Sequence, residues 1–381
     1  MFSEVDELAD KALRALREGD PREAWSLLSQ AVQKAESPRA DLTHAMGVVL
    51  LQLGEAAQAR RLMEEAVELC WKQGAPPELL VQAYLGLAGA CEDLGDASAA
   101  LAAYDQALEA DDASSAARSG KANVLFGLGQ IDAGLQEMDR FIAEGSDEDE
   151  MTLGAKALVE AVRRFVAERH PHDFIEAHRE GYVEFFDEIA QQQAEQGWMA
   201  ECARMKRAPD GSLVNAIPEG ARPYAAVRVD LVDPKSGQAG QIGDQPMVVA
   251  VGDFEALAHA VVTLDADTQH PFKLRYSSQA PWDQLPIQVL FEREGGDELL
   301  DEVMGDWYRG GFDGRFGSRD AGRLHYISDP TVLRDGRAVI YDVDMGRASL
   351  LAIEDLLSRL VQLHRRFPLR EVLIGRGYLS V

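Results

Sequence analysis

Four turn signals recur along the first third of the chain: Gly19-Asp20, Gly54-Glu55, Gly95-Asp96 and Gly129-Gln130, spaced 35, 41 and 34 residues apart. Each ends one stretch of apolar residues at helical spacing and begins another. A period of that length constrains the fold more than any bulk property does. A single helix–turn–helix unit cannot bury its own apolar face, so copies must stack side by side and share a core. The surplus in the middle spacing falls in Lys72-Gln73-Gly74-Ala75-Pro76-Pro77-Glu78, which reads as a loop by composition.

Residues 81–112, VQAYLGLAGACEDLGDASAALAAYDQALEADD, show the unit best. Tyr84, Leu87, Ala88 and Cys91 precede the Gly95 turn at helical spacing, and Ala100, Tyr104 and Ala107 come after it. Short side chains let two helices cross closely, while an aromatic ring fills the wider gap to the next pair. Met46, Gly47, Leu50, Ala59, Met63 and Ala66 take matching places in the second unit, and Leu8, Ala12, Ala15, Ala24, Leu28 and Ala31 in the first. The fourth departs at Lys121, Gly134 and Phe141, which predicts a distorted repeat or one packed directly on the segment C-terminal to it. Over residues 5–148 this pattern resembles the tetratricopeptide repeat family, and the resemblance implies an α-solenoid. The competing fold, an antiparallel helical bundle, would be favoured by unequal spacing across all four units.

The resemblance also implies a site. In that family the first helix of each repeat lines a concave channel that takes an extended peptide or a helix. The residues expected to face it are Leu13 and Arg17, then His44, Val48, Leu51 and Gln52, then Leu85, Glu92 and Asp93, then Asn123 and Phe126. The family's chaperone-binding branch clamps a terminal carboxylate with Lys and Asn side chains, and of that set only Asn123 is present. Glu92 and Asp93 would repel an acidic tail. The partner expected is therefore another protein, bound through a partly apolar segment or helix with basic flanks. The alternative is that these apolar residues pack on the chain's own C-terminal half.

Charge points the same way. The net charge is -27 over 381 residues, and residues 1–150 carry 29 acids against 12 bases. Such an array repels nucleic acid and anionic membrane. No apolar run approaches the roughly 20 residues that cross a bilayer, and the acidic opening MFSEVDELAD is unlike an export signal, so a cytoplasmic location is expected. Cys70, Cys91 and Cys202 fit neither zinc ligation nor a disulfide framework and read as inert thiols.

Residues 151–197 read as a helical cap and connector. One helix carries Leu153, Ala157, Leu158, Val162, Phe165 and Val166 and stops at His170-Pro171; a second runs from Asp173 to Gln196. His170, His172 and His178 lack the acid or Cys that would complete a metal spacing and read as solvated. From about Trp198 the apolar period changes from 3.6 to 2, which marks an α+β domain over 198–381. Strands are expected at Ala225–Val232, Met247–Val251, Phe272–Tyr276, Ile287–Phe291, Leu324–Ser328, Ala338–Val343 and Glu371–Ile374. Helices are expected at Phe254–Leu264, Glu298–Tyr308 and Ser349–Arg366. The order over residues 285–381 suggests a ferredoxin-like split sandwich.

No catalytic signature, cofactor fingerprint or metal motif is found on a suitable element, so none of these is assigned. Asp342 and Asp344 flank a strand end and with Asp329 have the oxygen chemistry for Mg²⁺, but alternation places both on one face that reads as merely exposed. Residues 309–323, RGGFDGRFGSRDAGR, interleave Arg309, Arg315, Arg319 and Arg323 with Phe312 and Phe316, a composition able to stack bases or serve as a long loop. The stretch also resembles, too briefly to imply a function, the Gly-Gly-x-Tyr-Asp-Gly run of small ferredoxin-like inhibitors of bacterial ribonuclease. The expected function is a protein-interaction scaffold or adaptor with a regulatory or docking α+β domain. The alternative is an enzyme or RNA-linked regulator acting through residues 201–381, with Arg315, Arg319, Asp342 and Asp344 as first suspects.

Overall fold

The structure is a computed structural model that describes residues 3–146, 149–168, 175–176, 179–181, 183–184, 199–202, 205–207, 213–215, 229–232, 260–266, 269–316, 324–333, 336–346 and 348–380. It divides into two compact units, Met1–Val159 and Glu160–Ser380.

The first unit is built from consecutive helices: α1 (Glu4–Arg17), α2 (Pro21–Lys34), α3 (Ala40–Gln52), α4 (Ala56–Gln73), α5 (Pro77–Asp93), α6 (Ala97–Ala110), α7 (Ser115–Gly127) and α8 (Ile131–Glu144), with α9 (Glu150–Glu168) running across the unit boundary. The four turn glycines all adopt the left-handed conformation, with φ of 81° at Gly19, 76° at Gly54, 70° at Gly95 and 74° at Gly129. Only glycine enters that region without a Cβ penalty. The residue after each one closes the same hydrogen bond back onto the ending helix: Asp20 N to Ala15 O and Glu55 N to Leu50 O at 2.9 Å, Asp96 N to Cys91 O and Gln130 N to Leu125 O at 2.8 Å. Asp20 and Asp96 then cap the next helix through their side chains, accepting from Glu23 N and Ala99 N.

Every extensive helix contact in this unit joins neighbours along the chain, or α1 with α3, α3 with α5 and α5 with α7. A closed bundle would need the first pair to meet the last. The small residues sit where the repeat requires them: Ala12, Ala24, Ala31, Ala59, Ala66, Ala88, Ala100 and Ala107 are fully buried. A Cβ on Gly47 or Gly86 would come within 2.7 or 2.5 Å of Met63 Cε, so the α4 side chain is seated between two backbones of α3 and α5.

One expectation for the repeats, the loop over Lys72–Glu78, is corrected by the fold. Lys72 and Gln73 belong to the last turn of α4, leaving only Gly74 to Pro76 as linker. The Lys72–Glu68 pair, 2.9 Å and four residues apart, supports that extra turn. The fourth repeat keeps its helix pair. Lys121 is accommodated by ion pairs to Asp105 at 2.8 Å and to the buried Glu137 at 3.0 Å, and Gly134 leaves room for Phe126. In α9 the buried side is Ala155, Val159, Val162 and Phe165, while Leu153 and Val166 are exposed.

The second unit contains a seven-stranded sheet. Its members are β5 (Thr263–Asp265), β6 (Lys273–Ser277), β7 (Leu285–Phe291), β8 (Tyr326–Ile327), β9 (Thr331–Leu333), β10 (Ala338–Asp344) and β11 (Leu369–Ile374), in the order β5-β6-β11-β7-β10-β8 with β9 also on β10. Only the β6–β11 pairing is parallel. Two further pairs stand apart, β1 (Met199–Cys202) with β4 (Val229–Val232) and β2 (Met205–Arg207) with β3 (Leu213–Asn215). Helices α10 (Asp297–Phe312) and α11 (Leu351–Arg366) share one core with the sheet face that carries Ile287, Val289, Val339, Tyr341 and Val372. Trp307 of α10 is fully buried there and donates from Nε1 to Ala352 O at 2.8 Å.

The expected helix Phe254–Leu264 is overturned where it is described: Thr263–Asp265 pairs with β6 as an antiparallel strand. The β-branched run Val261-Val262-Thr263 suits a pleated edge better than a helix. The strand expected at Met247–Val251 and most of the helix expected at Asp173–Gln196 lie outside the described residues.

On the opposite face of the sheet, Arg275 and Glu371 form a fully buried ion pair, and Arg275 also donates to Thr263 Oγ1 at 2.7 Å and to Tyr378 O. Glu371 Oε2 accepts from Ser380 N at 2.9 Å. Gln288 Nε2 donates to Gly375 O and Gly377 O at 3.0 and 3.2 Å. The chain after β11 is thereby tied back over the sheet by buried polar groups that are themselves paired.

Candidate functional site

The first helices of the repeats, α1, α3, α5 and α7, pack in succession, and the residues expected to line a channel sit on them. Leu13 and Arg17 on α1 are exposed. On α3, His44, Val48 and Leu51 are half-buried and Gln52 is exposed. Burial pushes the His44 imidazole below its ordinary pKa, favouring the neutral form. On α5, Leu85 is half-buried and Asp93 exposed, with partial burial raising the Asp93 carboxyl.

Two members of the set serve the fold. Glu92 Oε1 accepts a 2.5 Å hydrogen bond from the Tyr104 hydroxyl. Phe126 is 0% exposed and fills the space beside Gly134, so its ring offers no surface to a partner. Asn123 is different. It is half-buried on α7, and its Oδ1 accepts no hydrogen bond although the atom is out of contact with solvent. Buried acceptors are normally satisfied, which makes this one an exception.

Periodicity missed one feature of the array. Trp71, 66% exposed at the end of α4, donates from Nε1 to Tyr84 Oη at 3.3 Å and borders a cavity of about 420 Å³ with Cys70, Pro77, Leu80 and Ala110. The available signal was a tryptophan one position off the buried line Met63, Ala66, Cys70. Both described thiols are buried, and burial pushes Cys91 up to about 11.

In the second unit Asp344 is 1% exposed, against the expectation of a solvent face, because β8 pairs beside it. Asp329 is exposed and stands apart, while Asp283 joins Asp342 and Asp344 around a small cavity. The rings considered for stacking are engaged: Phe316 is buried 6.3 Å from Trp307, and Phe312 lies 6.1 Å from Tyr308. Arg309 and Arg315 are exposed, whereas Arg319, Arg323, His170, His172 and His178 lie outside the described residues. Among the described residues no group of three His, Cys, Asp or Glu side chains is placed to hold a metal ion, and no helix is long and apolar enough to cross a membrane.

Residues 38–113 match the tetratricopeptide repeat family. Comparison with curated proteins returns no match. Among solved structures, the chain is similar to YrrB, described as a TPR protein with an unusual peptide-binding site, at 20% identity over 40% of this chain and 74% of that one, TM-score 0.33. It is also similar to a tetratricopeptide repeat protein from Parabacteroides merdae at 18% identity over 50% and 67%, TM-score 0.34. A third is MamA from Desulfovibrio magneticus RS-1, at 16% identity over 39% and 99%, TM-score 0.22.

Proposed function

We propose that this tetratricopeptide repeat segment holds part of another protein against the face made by α3, α5 and α7. What supports the reading most directly is Asn123 Oδ1, an unsatisfied buried acceptor on the same run of helices as the half-buried Val48, Leu51 and Leu85. Apolar contact gives such a segment its affinity, and Asn123 fixes it by accepting a main-chain N–H. Asp93, with the acidic charge of the array, selects a segment with basic flanks. The second unit acts as a docking or regulatory domain. The order β11-β7-β10-β8, antiparallel throughout with α10 and α11 on one face, supports reading residues 285–381 as a ferredoxin-like split sandwich.

The test is affinity capture with the full chain, with and without nuclease, comparing wild type with the Val48→Asp, Leu85→Asp double variant. A protein captured through nuclease treatment by the wild type and lost by the variant is the expected result. Capture unchanged by the double variant, or captured RNA in its place, overturns the reading.

A further inference from the structure

The end of β10 borders a cavity of about 220 Å³ lined by Asp283, Gln284, Tyr326, Ser328, Asp342 and Asp344. Pockets for drug-sized ligands run to about 300–1,000 Å³, so this one admits a head group and not a whole cofactor. Strand register builds it. Asp344 stands opposite Tyr326 across β8, and Asp342 stands opposite Pro286 across β7. Alternation along β10 sends Tyr341 and Val343 into the helical core, which leaves both aspartates on the other face. Ser328 locks the corner: its N–H donates to Asp342 O and its Oγ accepts from Asp342 N, both at 2.9 Å.

Asp344 is the unusual member. It is 1% exposed; its Oδ1 accepts from Gly346 N at 3.0 Å and lies 3.4 Å from His325 Nδ1. Its Oδ2 is equally buried and accepts no hydrogen bond. A carboxylate oxygen withdrawn from water with no donor in place costs free energy that a bound donor returns.

We propose that this cavity binds a cationic nitrogen head group, a guanidinium or an ammonium. Three carboxylates disfavour an anion, although the Arg376 charge reaches Asp342. Every wall side chain carries an acceptor oxygen, and guanidinium and ammonium groups are donor-only. Bonds between such a cation and a carboxylate are of the strong, charge-assisted kind. The Tyr326 ring, 38% exposed, adds an aromatic surface for the cation. A chelated metal fits less well, since the described acids and histidines make no group of three with ligand geometry. The inference is independent of the groove assigned to the repeats.

Calorimetric titration of the full chain at low salt tests it, using agmatine, the peptide acetyl-Gly-Arg-Gly-amide, MgCl₂ and CaCl₂ as separate probes. Saturable 1:1 binding of a cationic organic probe is expected, weakened at least about tenfold by Asp344→Asn and by Asp342→Asn, which is the loss of one charge-assisted hydrogen bond. Asp329→Asn, the same charge change at an exposed site outside the cavity, should leave it intact. Binding of agmatine, with or without the peptide, supports a site open to free small cations; binding of the peptide alone supports one read by a partner's arginine. If Asp344→Asn fails to fold, Tyr326→Leu at the exposed side of the cavity gives the same readout. No saturable binding of either organic cation, equal loss with Asp329→Asn, or preference for Mg²⁺ or Ca²⁺ overturns the proposal.

Discussion

Tyr104 of α6 lies so close to Gly120 of α7 that a Cβ on the glycine would overlap the phenol ring, and the Tyr104 hydroxyl reaches back to Glu92 on α5 at 2.5 Å. One side chain therefore ties three helices of two adjacent repeats. The same device recurs at Met63 between Gly47 and Gly86, while Phe126 beside Gly134 joins the two helices of one repeat.

Gly120→Ala sets two effects against each other. Alanine is the better helix residue by about 1 kcal/mol, whereas forcing a methyl into a packed contact costs about 1–3 kcal/mol. A rigid ring cannot swing aside as a methionine can, so net destabilisation is expected in urea denaturation. Combined with Tyr104→Ala, the substitution should cost less than the two changes summed.

Asp96 caps α6 through Ala99 N and pairs with Arg60 at 3.1 Å. Burial raises its pKa, but the Ala99 N–H, Arg60 and Ser98 together hold it below the ordinary 3.8. A carboxyl lowered in the fold contributes stability that is complete above its unfolded pKa and is lost as pH falls through the folded value. Asp96→Ala should cost about 1 kcal/mol at pH 7, and that difference should shrink in melts run below the lowered pKa.

His44 behaves in the corresponding way at higher pH. Burial depresses its pKa, so the fold loses stability as pH drops from about 6.5, the unfolded value, through the folded one. His44→Gln should flatten the midpoint-versus-pH curve across that interval; an unchanged curve would show that the imidazole titrates freely.

Removing one partner of the Arg275–Glu371 pair leaves an uncompensated buried charge, which costs about 3–5 kcal/mol. Glu371→Gln should lower the denaturation midpoint accordingly and speed hydrogen exchange at the Ser380 amide, which Glu371 holds. Replacing Arg275 and Glu371 together by Met and Leu should recover much of the loss.

Cys70 and Cys91 are buried, with Cys91 pushed up to about 11 by burial against the opposing influence of Arg60. Both should resist a thiol reagent at pH 8 in the native protein and react at once in denaturant. Rapid native labelling at either position would contradict the packing of α4 and α5.

Much of this protein is legible from residues close together in the chain. The left-handed turns at Gly19, Gly54, Gly95 and Gly129, the Asp caps and the buried alanines arise from local geometry, because a turn or a helix face is specified within a few residues. What sequence could not decide was which side chains on a helix remain free and which strands meet. Phe126 is spent on Gly134 and Glu92 on Tyr104, Thr263–Asp265 became a strand through β6, and Asp283 joined Asp342 and Asp344 only through the pairing of β7 with β10. These outcomes depend on contacts between separate elements, whose energies periodicity does not encode; the repeat was written locally, and the acidic cavity exists only because β8 and β7 both pair with β10.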